Sequence, residues 1–242
     1  MESINLDNAR VLAVIPAYNE GQSLRTVVQS IRAAAPNWDI AVVDDGSIDD
    51  TSIVARESGA IVLRLPVNLG IGGAVQTGLM FAHRHGYDAA LQIDGDGQHD
   101  PAESLRLLEH LLNVNADAVI GSRFLGADGY QSSAMRRVGI RTLRFIISLL
   151  AGRRITDPTS GQRVLGRRAI DLLARDYPQQ YPEPETVYLM LRAGLKLEER
   201  PVSMKSRFAG QSSIRPVHSV LYMLKVIIAL LTHATTRRKV SP

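Results

Sequence analysis

Leu91-Gln92-Ile93-Asp94-Gly95-Asp96-Gly97-Gln98-His99-Asp100-Pro101 begins apolar, turns acidic and ends on a helix-start signal. Ala89 to Ile93 reads as a buried strand. Its carboxyl end carries two aspartates spaced two apart, which in extended backbone project to the same side. Converging carboxylates repel and lose solvation together, so they persist only where a cation or a shared proton relieves them. A hard divalent ion, Mg2+ or Mn2+, takes oxygen ligands from one or two carboxylates and from substrate phosphates. Asp94, Asp96 and Gln98 are therefore the metal candidates, with His99 on the rim as a ligand or as a neighbour of one. Gly95 and Gly97 let the backbone approach closely. Asp100-Pro101-Ala102-Glu103 reads as N-cap, proline at the first helical position and capping-box glutamate. The competing reading of D-G-D alone is an acidic surface turn whose glycines serve only geometry.

Upstream, Val11 to Ile15 is a continuous apolar run ending in Pro16, as a buried parallel strand requires. The loop Ala17-Tyr18-Asn19-Glu20 follows, and Leu24, Val27, Val28 and Ile31 then recur at helical spacing. Ile40 to Val43 is a second apolar run, passing straight into Asp44-Asp45-Gly46-Ser47, with Asp49, Asp50 and Thr51 to cap the next helix through Ser58. Ala60 to Leu65 makes a third strand, before the glycine cluster Gly70-Ile71-Gly72-Gly73 and a helix to about His85. Downstream, Ala118-Val119-Ile120 makes a fifth strand, ending at Gly121-Ser122-Arg123. Alternating strands and helices specify an α/β domain with a mostly parallel central sheet flanked by helices. Ligands of such sheets sit outside the carboxyl ends of the strands. The polar clusters at those ends should share one crevice suited to a nucleotide: carboxylates for base or ribose, and a metal for the diphosphate. The glycine cluster lacks the last glycine of a dinucleotide fingerprint and follows the third strand, and no G-x-x-x-x-G-K-[ST] loop occurs.

The 242 residues suffice for one large domain. No cysteine is present, which removes disulfides, thiolate chemistry and Cys-type zinc sites. Met1 to Arg10 is polar, without the apolar core of a secretion signal, so a cytoplasmic setting is expected. The net charge of +4 conceals an asymmetry: residues 1–122 hold 7 Lys/Arg and 16 Asp/Glu, and residues 123–242 hold 21 and 8. An acidic half suits a cation; a basic half suits phosphates or an anionic membrane surface. Nucleic acid is not expected as a partner, because the basic half lacks the interleaved aromatics that stack bases.

Val14-Ile15-Pro16-Ala17-Tyr18-Asn19-Glu20, Val42-Val43-Asp44-Asp45-Gly46-Ser47-Ile48-Asp49-Asp50-Thr51 and Asp94-Gly95-Asp96 together resemble the successive motifs of glycosyltransferase family 2. The resemblance spans roughly residues 10–210. It implies a single Rossmann-like nucleotide-diphospho-sugar transferase domain of GT-A type. The Gln98-His99 pair and Thr156-Asp157-Pro158-Thr159-Ser160-Gly161 resemble the polyprenyl-phosphate sugar transferases within it. The implied activity is metal-dependent, inverting transfer of a hexosyl group from a UDP- or GDP-sugar to a polyprenyl phosphate at the cytoplasmic face of a membrane. Pro16, Tyr18, Glu20, Asp44, Asp45, Gly72, Asp94, Gly95 and Asp96 would then bind the nucleotide sugar. For Asp44 and Asp45 the rival role is a turn and helix-entry pair; for Tyr18 it is plain packing; for Asp157 it is an Asx turn before Pro158.

A phosphate acceptor attacks with its own anionic oxygen, so arginines matter more than a base. Arg123, Arg136 or Arg137, and Lys205 or Arg207 are the candidates to hold it. A hydroxyl acceptor needs a base, and in Pro182-Glu183-Pro184-Glu185 the expected one is Glu185, whose rival role is a helix-start glutamate favoured by the macrodipole. A third reading is a catalytically silent, membrane-docked sugar-nucleotide binder. Arginines interrupt the apolar helix Val138 to Ala151, as in an interfacial helix on anionic lipid or in a core helix with solvated arginines. Residues 1–212 are expected to form the catalytic domain. Residues 213–242, with the apolar run Val217 to Leu231 and then Arg237-Arg238-Lys239, should supply basic amphipathic helices that meet lipid or a small membrane-protein partner. That run is too short to span a bilayer of about 30 Å.

Overall fold

The structure is a computed structural model that describes residues 8–126, 134–203, 225–230 and 232, with the side chains of 134–138 and Ala151 left aside. Seven strands form one sheet: β1 (Val11–Ala17), β2 (Asp39–Asp44), β3 (Ile61–Arg64), β4 (Ala89–Gln92), β5 (Ala118–Ser122), β6 (Arg163–Gly166) and β7 (Leu197–Pro201). Their order is β3-β2-β1-β4-β6-β5-β7. All pairs are parallel except those of β6, which runs antiparallel to both β4 and β5. The expected mostly parallel α/β sheet is thus present.

Both faces of the sheet are covered. Leu12 and Val14 point into one core, and Val11, Ala13 and Ile15 into the other, as the strand's period of two requires. The second core is closed by α1 (Gly21–Ala34), α2 (Thr51–Glu57) and α4 (Pro101–Asn113), whose apolar stripes include Leu24, Val28, Ile31, Leu107 and Leu108. The first is closed by α3 (Gly70–Arg84), α5 (Ala134–Ala151), α6 (Arg167–Arg175) and α7 (Pro182–Arg192). Fully buried side chains such as Leu12, Ile15 and Leu107 each contribute about 1.5–3 kcal/mol by leaving water.

Pro16 lies inside β1 rather than after it, in register with Val43. Val14 faces β4, where its carbonyl accepts the Ile93 N–H, and residue 16 faces the same way. Its pairing with β4 has ended by then, so the missing N–H of proline costs no ladder bond.

The carboxyl ends of β1, β2, β4 and β5 lie along one rim. Because β6 runs the other way, the segment leading into it, 156–162, reaches the same rim. Lys205 and Arg207, and most of residues 213–242, lie outside the described residues. Residues 225–230 are helical, and their Val226 and Leu230 are buried in the core that holds Leu143 and Ile147.

Candidate active site

The acidic turn is fixed by its neighbours on both sides. The Gly95 carbonyl accepts from Ser23 Oγ at 2.7 Å, and a Cβ on Gly95 would lie 3.5 Å from both the Pro16 carbonyl and Glu20 Cγ. Gly97 has φ +78°, and the Gln98 N–H closes onto Asp96 Oδ1 at 3.0 Å. Asp94 donates its N–H to His99 Nδ1 at 3.1 Å, which leaves Nε2 to carry the ring proton toward Asp94 Oδ2, 3.4 Å away. His99 is buried, so it props Asp94. Asp94 is the open member of the acidic pair, its side chain 36% exposed, and Asp96 is 9% exposed. Gly161 closes the opposite wall: a Cβ there would stand 3.4 Å from Gln92 Nε2 and 3.5 Å from Asp94 Oδ2.

The first two loops are laced together. Asn19, at φ 55°, accepts from the Ile48 N–H at 3.0 Å, and Thr51 Oγ1 accepts from the Glu20 N–H at 2.9 Å. Tyr18 stands exposed beside them. Asp44 is buried under inward-facing partners: Ser47 N–H at 2.8 Å, the Ser52 hydroxyl, and Arg64 at 3.8 Å. Burial alone would raise its pKa, but the Ser47 and Ser52 hydrogen bonds and the Arg64 charge outweigh it and hold the carboxyl below its ordinary range. Asp45 accepts from the Leu69 and Gly70 N–H groups at 2.7 and 2.9 Å, binding β2's end to the entry of α3. Both aspartates therefore shape the loops, and Asp45 does so at a helix N-terminus. Gly72 is packed within α3: a Cβ would come 2.9 Å from Gln179 Cα, so its smallness serves helix packing.

On the other side of the rim, Arg123 forms a two-pronged pair with Asp157, Nε to Oδ2 at 2.7 Å and Nη2 to Oδ1 at 2.8 Å, and also reaches Thr159 Oγ1 at 2.8 Å. Asp157 is fully buried, and its own N–H donates to Glu199 Oε1 at 2.8 Å. Asp157 thus orients Arg123 rather than merely closing a turn. Arg136 and Arg137 fall in the first turn of α5, and their side chains lie outside the described residues.

The sequence reading assigned no role to Arg163 or Tyr177, and it set Glu183 behind Glu185. Arg163, buried at the start of β6, donates to the Ser160 carbonyl at 2.7 Å, the Glu183 carbonyl at 2.8 Å and the Thr186 hydroxyl. It ties the 156–161 segment to the first turn of α7. Burial lowers its pKa, against the pull of Tyr177, Glu183 and Asp157. Glu183 has its carboxyl pushed up by burial, with the Asp94 charge adding to the rise and Arg163 and Arg123 opposing it. Glu183 and Glu185 both stand in the first turn of α7, and Glu185 is buried there.

No group of three or more His, Cys, Asp or Glu side chains converges to hold a metal ion by itself among the described residues. Asp94, Asp96 and Gln98 supply two carboxylates and an amide, all hard oxygen donors. That set fits Mg2+ or Mn2+ in a site completed by phosphate oxygens and water, the usual mode for these ions.

A family model described as glycosyl transferase family 2 matches residues 12–173. The chain is 33% identical over 221 residues to an undecaprenyl-phosphate mannosyltransferase of Micrococcus luteus, covering 85% of this chain and 87% of the relative. It is 29% identical over 240 residues to a UDP-N-acetylglucosamine–dolichyl-phosphate N-acetylglucosaminyltransferase of Methanococcus voltae, covering 91% and 94%. A crystal structure of Mycobacterium tuberculosis glucosyl-3-phosphoglycerate synthase with Mn2+, UDP and phosphoglyceric acid superposes with a TM-score of 0.70, covering 94% of this chain and 79% of the other. At 23% identity it speaks for the fold.

Proposed function

The chain belongs to glycosyl transferase family 2, and we propose that it moves a hexosyl group from a nucleotide diphosphate sugar to a polyprenyl phosphate. The observation that carries this is the rim itself: it bears an open carboxylate, Asp94, beside Gly161, and Arg123, whose guanidinium is held in one orientation by buried Asp157. The relatives that act on undecaprenyl and dolichyl phosphate support the acceptor class. Asp94, Asp96 and Gln98 would hold Mg2+ or Mn2+, which neutralises the growing charge on the departing nucleotide diphosphate. Tyr18, Glu20 and the loop shaped by Asp44 and Asp45 receive the nucleoside, and Arg123 receives the acceptor phosphate. That phosphate carries its own nucleophilic oxygen, so no proton need be removed, and a single displacement inverts the anomeric carbon.

A hydroxyl acceptor is the second reading, with its base in the first turn of α7, either the buried Glu185 or Glu183, whose carboxyl burial pushes up. A carboxyl whose pKa is raised is better able to take a proton near neutral pH. We place the reaction at the cytoplasmic surface of a membrane, with residues 213–242 meeting lipid or a membrane protein. No helix among the described residues is long and apolar enough to cross one.

A panel of UDP- and GDP-sugars with Mg2+ or Mn2+ and a short polyprenyl phosphate tests the proposal. Organic-extractable labelled sugar that disappears with chelator is the expected result. Transfer only to free saccharides would move the reaction to the hydroxyl reading, and binding of donor without any turnover would favour the silent binder.

A further inference from the structure

Glu199 lies on β7, an edge strand, where a charged side chain ordinarily faces water and keeps the edge from pairing further. Its neighbour Glu198 does so, its side chain 31% exposed and paired with Arg153 at 3.1 Å. Glu199 points to the other face and has a different set of partners. Its Oε1 accepts from the Asp157 N–H at 2.8 Å, the Thr156 hydroxyl at 2.9 Å and the Thr156 N–H at 3.0 Å, and its Oε2 accepts from that same Thr156 N–H at 2.8 Å. One carboxylate thus takes three donors from two successive residues of the segment that leads into β6.

Those two residues hold Arg123. A carboxylate can only accept, so the Thr156 hydroxyl donates to Glu199, the Ser122 hydroxyl donates to Thr156 Oγ1 at 2.7 Å, and Ser122 Oγ is left to accept the Phe124 N–H at 3.2 Å. Asp157 Oδ2 meanwhile accepts both the N–H and the Nε of Arg123, at 3.1 and 2.7 Å. Residues 122–124 are therefore fastened on both sides of Arg123 to a turn whose own backbone is fastened to Glu199. Ser122, Thr156 and Asp157 are all buried, so water cannot replace these bonds at little cost. The strand register agrees: Glu199 stands opposite Ile120 in the parallel pairing of β5 and β7, and the Val202 N–H closes on the Ser122 carbonyl at 3.1 Å. β7 thus runs beside the strand that delivers Arg123 to the rim.

We infer that Glu199 is a positioning residue for the transfer: it sets the Thr156–Asp157 turn that aims the Arg123 guanidinium, and it governs use of the acceptor phosphate through Arg123. The inference rests on the seating of that phosphate at Arg123 proposed above. A residue that only supported the edge strand would act on stability and would weaken the use of both substrates alike. One that acts through Arg123 affects the acceptor and spares the donor.

A double-mutant cycle on the full chain tests this, with a short polyprenyl phosphate as acceptor and the nucleotide sugar that the donor panel selects. Glu199→Leu strands two backbone N–H groups and should lower kcat/KM for the acceptor about a hundredfold, with the donor KM within about twofold of wild type. Glu199→Gln keeps one accepting oxygen and should lose about tenfold. In an Arg123→Gln background each change should cost less than about threefold, because nothing is left to position. Should Glu199→Leu fail to fold, Glu199→Gln carries the same comparison. A cost that is equal in the two backgrounds, or a donor KM that rises with that of the acceptor, would overturn the positioning role and leave the proposed function standing. Wild type that forms no sugar phosphodiester with any donor would overturn the proposed function and this inference with it.

Discussion

Asn in place of Asp94 or Asp96 keeps the side-chain volume and removes one negative charge, so it separates chemistry from folding. Asp94 is solvent-facing, and its contact with His99 is a prop that Asn can share. Asp94→Asn is expected to lower kcat by about 100-fold or more, with the melting temperature nearly unchanged; both are read on the same preparation. Glu183→Gln and Glu185→Gln distinguish the acceptor classes. With a phosphate acceptor neither change should lower the rate more than about tenfold, because no base is used. With a hydroxyl acceptor, replacing whichever of the two is the base should remove about 100-fold or more. At this scale the turn itself was legible from its glycine spacing, Gly97 taking φ +78°, although Asp94 and Asp96 lie past the end of β4 rather than on it. The anchoring of the first turn of α7 was not, since it is set by Arg163 from β6, whose guanidinium reaches the Glu183 carbonyl and the Thr186 hydroxyl.

Elements fix what residues can reach. Arg163 holds two segments with one planar group, and its removal strands the Ser160 and Glu183 carbonyls in the interior. Arg163→Met should cost about 3 kcal/mol or more in denaturant unfolding, and Arg163→Lys should recover only part, because an ammonium cannot copy the fork. The packing of α3 on β1 is equally tight: a Cβ on Gly78 would lie 2.2 Å from Val14 Cγ1. Gly78→Ala is therefore expected to destabilise by about 1–3 kcal/mol, although alanine is the better helix former. The first five strands were readable as apolar runs ending in polar loops. β6 and β7 were not. Arg163-Val164-Leu165-Gly166 is short and opens with a charge that is satisfied only by tertiary partners, and Leu197-Glu198-Glu199-Arg200-Pro201 is an edge strand whose polar residues protect it from pairing further. Missing β6 concealed why the 156–162 segment joins the rim, since that follows from its antiparallel direction.

The two charge-biased halves of the sequence share one sheet, with β6 of the basic half between β4 and β5 of the acidic one, and the response to pH follows the loops at its rim. Asp44 and Asp49 both titrate below their ordinary values in the folded protein, because hydrogen bonds outweigh burial. Their stabilising contribution is complete above the unfolded-state value of about 3.9 and is lost as pH falls through the depressed folded values. Melting temperature should therefore drop steeply below about pH 4, and Asp44→Asn should flatten that limb while lowering the plateau. The central claim is that an acceptor phosphate, seated at Arg123, becomes bonded to sugar. Phosphorus NMR of the lipid recovered after turnover reads that bond. Conversion of the polyprenyl phosphomonoester into a sugar-bearing phosphodiester is the result expected here; an unchanged phosphomonoester beside sugar newly attached to a hydroxyl would contradict it.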